Sequence, residues 1–215
     1  MAESADQRTV IVVDDDAEMR AAITLMLDSA GLRVETFTCA EEFLRTPCTH
    51  DAPKCLILDV RMHGLSGLGL QQRLLQDGVR IPIIFLTGFG DVASAVQAIR
   101  AGGFDFLEKP LHRDRLLERI ARALDHDAQL LMVDHELSAV DKRVESLSRR
   151  ESDVFHLLLA GKSNKEIARA LRIGMPTATK HRAKVLQKLQ VRNVFELITV
   201  APHYRKDEDP NSPGS

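Results

Sequence analysis

Four short apolar runs constrain this chain more than any other feature: Val10-Ile11-Val12-Val13, Cys55-Leu56-Ile57-Leu58, Ile83-Ile84-Phe85-Leu86 and Phe104-Asp105-Phe106-Leu107. Each has strand length, and helical patterns separate them, such as Met19, Ala22, Ile23, Met26 and Leu27, and later Val92, Ala95, Val96 and Ile99. Strands that stay apolar at every position are buried on both faces, so their alternation with helices predicts a parallel sheet with helices on either side. A further run, Leu32 to Phe37, alternates apolar and polar residues as an edge strand with one wet face would. The expected fold is α/β, an open, doubly wound, five-stranded parallel sheet.

In such sheets ligands sit at the carboxyl ends of the strands, so the residues following each run carry the chemistry. They are Asp14-Asp15-Asp16, Asp59, Thr87-Gly88 and Glu108-Lys109-Pro110. Gathered acids repel one another and raise each other's pKa unless a cation sits among them, and Mg2+ takes one or two carboxylates together with phosphate oxygens. The pattern suits a metal-bound phosphoryl group. A plainer role for the aspartate triplet alone is to end a strand and cap a helix.

Across all 215 residues, 44% are hydrophobic and 28% charged, and no apolar run approaches the length of a membrane span. A membrane protein is excluded on that ground. Cys39, Cys48 and Cys55 cannot all pair and fit neither a zinc site nor a disulfide framework. Met1 to Gln7 is short, polar and acidic, unlike a targeting segment, and the expected location is the cytoplasm. The charge is unevenly spread. Of 29 lysines and arginines and 31 acids, eleven and four fall within residues 148–200, so a basic C-terminal domain follows an acidic N-terminal one.

Between them, Leu111 to Ala160 contains neither glycine nor proline. Leu116, Leu117, Ile120, Ala123 and Leu124 mark a helix, and Leu130, Val133, Leu137, Val140, Val144 and Leu147 recur at spacings of three and four. The seam fits either a dimerising coiled coil or an amphipathic helix packed on one of the chain's own domains. Three short helical patterns follow. Glu151 to Ala160 stops at Gly161, Ser163-Asn164-Lys165-Glu166 opens a second as a capping box, and a turn at Arg172-Ile173-Gly174 leads into Pro176 to Gln190. Helix, tight turn and basic helix is the helix-turn-helix arrangement, which makes the C-terminal domain all-α.

Asp14-Asp15, Asp59, Thr87 and Lys109-Pro110, in that order and spacing, resemble the receiver domain of two-component response regulators. Ser148-Arg149-Arg150-Glu151, Gly161-Lys162-Ser163-Asn164-Lys165-Glu166-Ile167-Ala168, Thr177 and His181-Arg182-Ala183-Lys184-Val185 resemble the LuxR-type domain of the FixJ/NarL family. The Gly88-Phe89-Gly90-Asp91 loop is most similar to the FixJ branch. The resemblance implies a tail at 1–8, a CheY-like receiver at 9–126, a helical linker at 127–147, a LuxR-type domain at 148–200 and a disordered tail at 201–215.

It further implies that Asp59 is the phosphoacceptor and that Asp15, Asp59 and the Arg61 carbonyl bind Mg2+, with Asp14 completing the acidic pocket. Lys109 then contacts the phosphoryl oxygens, the Lys109-Pro110 bond is cis, and Thr87 and Phe106 form the switch pair. On the second helix of the motif, Ala178, Val185 and Leu189 should pack inward. Thr179, Lys180, Ala183 and Gln187 face the major groove, while Lys165, Thr177, His181, Arg182, Lys184 and Lys188 hold phosphates.

The implied protein is not a turnover enzyme. It is a transcriptional regulator phosphorylated by a sensor histidine kinase, which then forms a homodimer, binds double-stranded promoter DNA and engages RNA polymerase. A phosphatase or phosphotransferase with an aspartyl nucleophile, and a regulator that works without phosphate, are the competing readings. Four positions depart from the family pattern: His63 stands where proline is usual, Arg172 where glycine is usual, and Ala178 and Lys180 where branched apolar residues are common.

Overall fold

The computed structural model describes residues 8–46, 50–88 and 92–204. The expectations for residues 1–7, for Cys48, for the loop at 89–91 and for the tail at 205–215 lie outside the described residues. The chain divides into two compact units, Met1–Met132 and Val133–Ser215.

The first unit holds five strands: β1 (Thr9–Val13), β2 (Arg33–Phe37), β3 (Lys54–Asp59), β4 (Ile83–Thr87) and β5 (Asp105–Glu108). All pairs are parallel, as the apolar runs predict, and the alternating β2 lies at an edge; the order is β2-β1-β3-β4-β5. The helices are α1 (Ala17–Asp28), α2 (Ala40–Arg45), α3 (Gly67–Gln76), α4 (Val92–Arg100) and α5 (Arg113–Glu145).

Because successive strand residues point to opposite faces, each central strand feeds two cores. Val10 and Val12, with Ile57, Ile84 and Leu86, pack on Ile23 and Leu27 of α1 and on Leu116, Ile120 and Leu124 of α5. Ile11 and Val13, with Leu56, Leu58 and Phe85, pack on Phe43 of α2, Leu70 and Leu74 of α3 and Ala98 of α4. The doubly covered sheet leaves the carboxyl ends of its strands as the place where polar groups can gather.

In the second unit, α6 (Arg149–Leu159), α7 (Asn164–Leu171), α8 (Met175–Lys188) and α9 (Val194–Val200) enclose a core of Val154, Phe155, Leu158, Ile167, Val185 and Leu197. The capping box read at Ser163 is present, and Ser148 with Glu151 forms a second, whose S-x-x-E signature was equally visible. Arg172 caps α7 in the left-handed region at φ 53° and ψ 46°. The last turns of α5 belong to this core: Val140 is buried in it, and Val144 and Leu147 pack against it. The upper part of the apolar seam, Leu130, Val133 and Leu137, is exposed.

The first residues of the stretch expected to be structureless from 201, Pro202–Tyr204, form a 3-10 turn. Tyr204 packs edge-on against Phe155 and His203 meets Asp141 Oδ1 at 2.9 Å, contacts that single-residue patterns do not announce.

Candidate functional site

Strand register builds the acidic site. Val13 pairs with Leu58, so Asp14 and Asp59 leave neighbouring strands side by side. Carboxylate oxygens of Asp14, Asp15 and Asp59 all lie within 4.8 Å of one another. Asp16, the third member of the triplet, does the plainer job: its Oδ1 accepts the Glu18 and Met19 N–H groups at the start of α1. Asp14 is fully buried and is held by the Asp16 N–H at 2.8 Å, while Arg20 Nη1 donates to its backbone carbonyl at 2.7 Å.

Lys109 enters from the end of β5, past the cis Lys109-Pro110 bond, and donates to Asp59 Oδ2 and, at 3.1 Å, to Asp14 Oδ2. Burial, together with the Asp59 charge, pushes the Asp14 carboxyl above its ordinary value against the pull of the Asp16 N–H and Lys109. Burial works against the Lys109 ammonium, but its bonds and attraction to Asp59 and then Asp14 win and raise it. Asp15 moves the other way. The His63 backbone N–H at 2.9 Å, and then the imidazole, hold its carboxyl below the ordinary range. Proline in place of His63 would have no N–H to offer Asp15.

Asp59 Oδ1 accepts the Arg61 N–H at 2.9 Å. Behind Asp59 stands Gly67, where a Cβ would lie 2.2 Å from the Asp59 carbonyl oxygen, so the start of α3 packs directly on the backbone of that residue. Reasoning from side-chain chemistry passed over Gly67 and Arg20; a glycine just after the loop that follows Asp59 was the available signal. Thr87 is buried and its hydroxyl donates to the Leu107 carbonyl at 3.5 Å, the long end of hydrogen-bond distance. Phe106, on the adjacent strand, is 44% exposed.

All three acidic partners are hard oxygen donors, Asp14 and Asp59 buried and Asp15 partly open to solvent, a set that fits Mg2+ rather than a softer metal.

The second unit carries the other candidate surface. Ala178, Val185 and Leu189 are buried, whereas Thr179, Lys180, Ala183, Lys184 and Gln187 are exposed on α8, with Thr177 exposed at its start and Lys165 exposed on α7. His181 and Arg182 are half-buried at the rim of that face. Lys188 is placed differently from its neighbours. Though exposed, its ammonium donates to the buried Glu151 Oε2 at 2.6 Å and to the Ser146 carbonyl at 3.1 Å.

Residues 10–121 match the response regulator receiver domain family, and residues 145–201 match the luxR family of bacterial regulatory proteins. This chain is a FixJ/NarL-type response regulator. It is 39% identical over 192 residues to the transcriptional regulatory protein TdiR of Thauera aromatica, covering 88% of this chain and 83% of that protein. It is 40% identical over 197 residues to the transcriptional regulatory protein FixJ of Bradyrhizobium diazoefficiens, covering 89% and 93%. Among solved structures, response regulator StyR aligns at a TM-score of 0.79 with 38% identity over 92% of this chain and all of that one. Full-length FixJ from B. japonicum aligns at 0.54 with 38% identity, over 91% and 96%.

A response regulator of this family joins a receiver, whose acidic aspartate cluster is where such domains bind Mg2+, to a LuxR-type DNA-binding domain. A receiver implies a phosphodonor kinase as partner, and the LuxR-type domain implies DNA. None of the described helices is long and apolar enough to cross a membrane.

Proposed function

We propose that this response regulator accepts a phosphoryl group on Asp59 from a sensor histidine kinase in the cytoplasm and thereby turns on dimerisation and promoter binding. The convergence of Asp14, Asp15 and Lys109 on Asp59 at the strand ends supports this reading above all. An Asp59 carboxylate oxygen attacks phosphorus, the bond from phosphorus to the donor's histidine nitrogen breaks, and an acyl phosphate remains on Asp59. Lys109 offsets charge on the equatorial oxygens of the transferring group. Asp15, Asp59 and the Arg61 carbonyl are the residues to hold Mg2+, with Asp14 beside them; the ion supplies further charge neutralisation at the same oxygens. Nothing in this arrangement needs turnover, and the reaction is a single modification of the protein itself.

After transfer, Thr87 exchanges its long bond to the Leu107 carbonyl for one to a phosphoryl oxygen. That draws the β4 end inward and lets the exposed Phe106 ring turn in, which changes the surface of α4 and β5. Two phosphorylated chains then pair. Each lays α8 in the major groove, where Thr179, Lys180, Ala183 and Gln187 meet base edges and Lys165, Thr177, His181, Arg182 and Lys184 meet phosphates. Bound at a promoter, the dimer recruits RNA polymerase. Lys188, engaged by Glu151, serves the domain's own stability ahead of DNA.

Intact mass after incubation with acetyl phosphate and Mg2+ tests the first step. One phosphoryl adduct is expected in the wild type and none in Asp59→Asn; an equal adduct in both would move the acceptor elsewhere. Absence of any adduct, even with a panel of histidine kinases, would favour a regulator that works without phosphate.

A further inference from the structure

Asn164 opens α7, yet the start of that helix makes no use of its side chain. Ser163 Oγ accepts the Glu166 N–H at 3.3 Å, and Glu166 Oε2 accepts the Ser163 N–H at 2.8 Å, which completes the cap. The Asn164 amide reaches across to α8 instead. Its Nδ2 donates to Thr179 Oγ1 at 3.3 Å, and its Oδ1 accepts from Arg182 Nη1 at 3.1 Å. Thr179 and Arg182 stand three residues apart on α8, so they share a stripe of its surface and one planar amide joins them.

We propose that Asn164 is a positioning residue for DNA recognition, holding the Thr179 hydroxyl and the Arg182 guanidinium in the orientation in which α8 presents them to the duplex. This rests on the reading of the exposed α8 face as the DNA-contacting one. A free arginine loses much rotational freedom when a phosphate or base edge immobilises it, and that loss subtracts from affinity. Arg182 tied to Asn164 has part of that freedom removed beforehand, while the guanidinium keeps other N–H donors for DNA. The side chain at 164 must both donate and accept across the gap to α8, which an amide does; a carboxylate only accepts, and a serine hydroxyl, though it can do both, is too short to span both partners. Aspartate would also set a negative charge beside the polyanion.

The test uses the full-length protein treated with acetyl phosphate and Mg2+. Its probes are a duplex that the wild type enriches from a random-sequence library and the unselected random pool. Affinities are measured over a series of salt concentrations for wild type, Asn164→Ala, Asn164→Ser, Thr179→Ala, Arg182→Ala and the double variants. Asn164→Ala should weaken the selected duplex by about fivefold at every salt concentration, since ordering is lost but no charge is removed. Arg182→Ala should weaken it further and lower the salt slope by about one. In the Arg182→Ala background, adding Asn164→Ala should cost less than about twofold, because its route to the DNA is already gone.

Serine is a good residue in the first turn of a helix but too short to bridge both partners. Asn164→Ser should therefore fold and still bind as weakly as Asn164→Ala. Wild-type affinity in either 164 variant, or a full Asn164→Ala penalty persisting in both the Arg182→Ala and Thr179→Ala backgrounds, would overturn the proposal. If Arg182→Ala and Thr179→Ala themselves bind as wild type, the assignment of the α8 face fails, and the positioning role with it.

Discussion

Lys109 places its ammonium on Asp59 Oδ2 while remaining 3.1 Å from Asp14 Oδ2, so one cation serves the phosphoacceptor candidate and its buried acidic neighbour at once. That double engagement makes Lys109 both a competitor of Mg2+ in the resting site and a partner of the phosphoryl oxygens in transfer. Lys109→Met should slow acetyl phosphate-driven modification at least tenfold, on the order of what loss of one transition-state donor costs. The same variant should bind Mg2+ more tightly than the wild type. An intact-mass time course and calorimetric Mg2+ titration read the two effects separately.

The His63 N–H is the foremost reason the Asp15 carboxyl sits below its ordinary 3.8. His63→Ala keeps that bond and loses only the imidazole, whereas His63→Pro loses both. The Asp15 carboxyl, followed by carboxyl-carbon NMR without added metal, should titrate closest to its ordinary value in His63→Pro. Alanine should fall between proline and the wild type.

Glu151 is buried, and Lys188, followed by the Ser148 N–H, holds its carboxyl down to about 2 from an ordinary 4.5. Because the folded-state value is the lower one, the ion pair stabilises the domain fully above pH about 4.5 and is lost as the pH falls from there towards 2. Glu151→Gln should cost about 2 kcal/mol at pH 7 and progressively less in acid. Urea unfolding of the Val133–Ser215 unit at several pH values checks both the size and the trend.

The sheet was legible because its three central strands, β1, β3 and β4, are almost wholly apolar, and the site because its acids and lysine come at the ends of such runs. Asp16 shows why the triplet alone was ambiguous: the same residue type both caps α1 and, one and two positions earlier, enters the acidic cluster. Contacts that depend on backbone approach were not legible. Gly67 has no side chain to advertise its closeness to Asp59, and the His63 N–H is identical in most other residues. The seam in the linker was visible but its partner was not, since Val140 and Val144 carry the same spacing whether they meet another chain or, as found, Phe155 and its neighbours.

Arg172 holds φ 53° at the end of α7, where a Cβ is unfavourable. Arg172→Gly should stabilise the domain by about 0.5–1 kcal/mol, raising the thermal midpoint by a few degrees. Differential scanning calorimetry of the full chain would show the gain in the transition belonging to the C-terminal unit.

Fragments should reveal where the output unit begins. A fragment of residues 133–215 retains Val140, Val144 and Leu147, whereas one of residues 148–215 exposes the surface they cover. The longer fragment should be more stable by roughly 3 kcal/mol, the scale of burying two or three aliphatic side chains. Equal urea midpoints would show that this part of α5 is dispensable to the domain.

The side-by-side exit of Asp14 and Asp59 follows from the pairing of Val13 with Leu58, and Asp59 itself pairs with Leu86. The cluster is therefore a matter of reading frame along the strands. Adding one residue within β3 would leave an apolar, sheet-forming segment in place yet turn Asp59 to the opposite face, away from Asp14 and Lys109. Lengthening a surface loop by the same single residue would not. For this chain, evolutionary tolerance to insertion should be high in connections far from the carboxyl edge and close to nil within five short stretches of backbone.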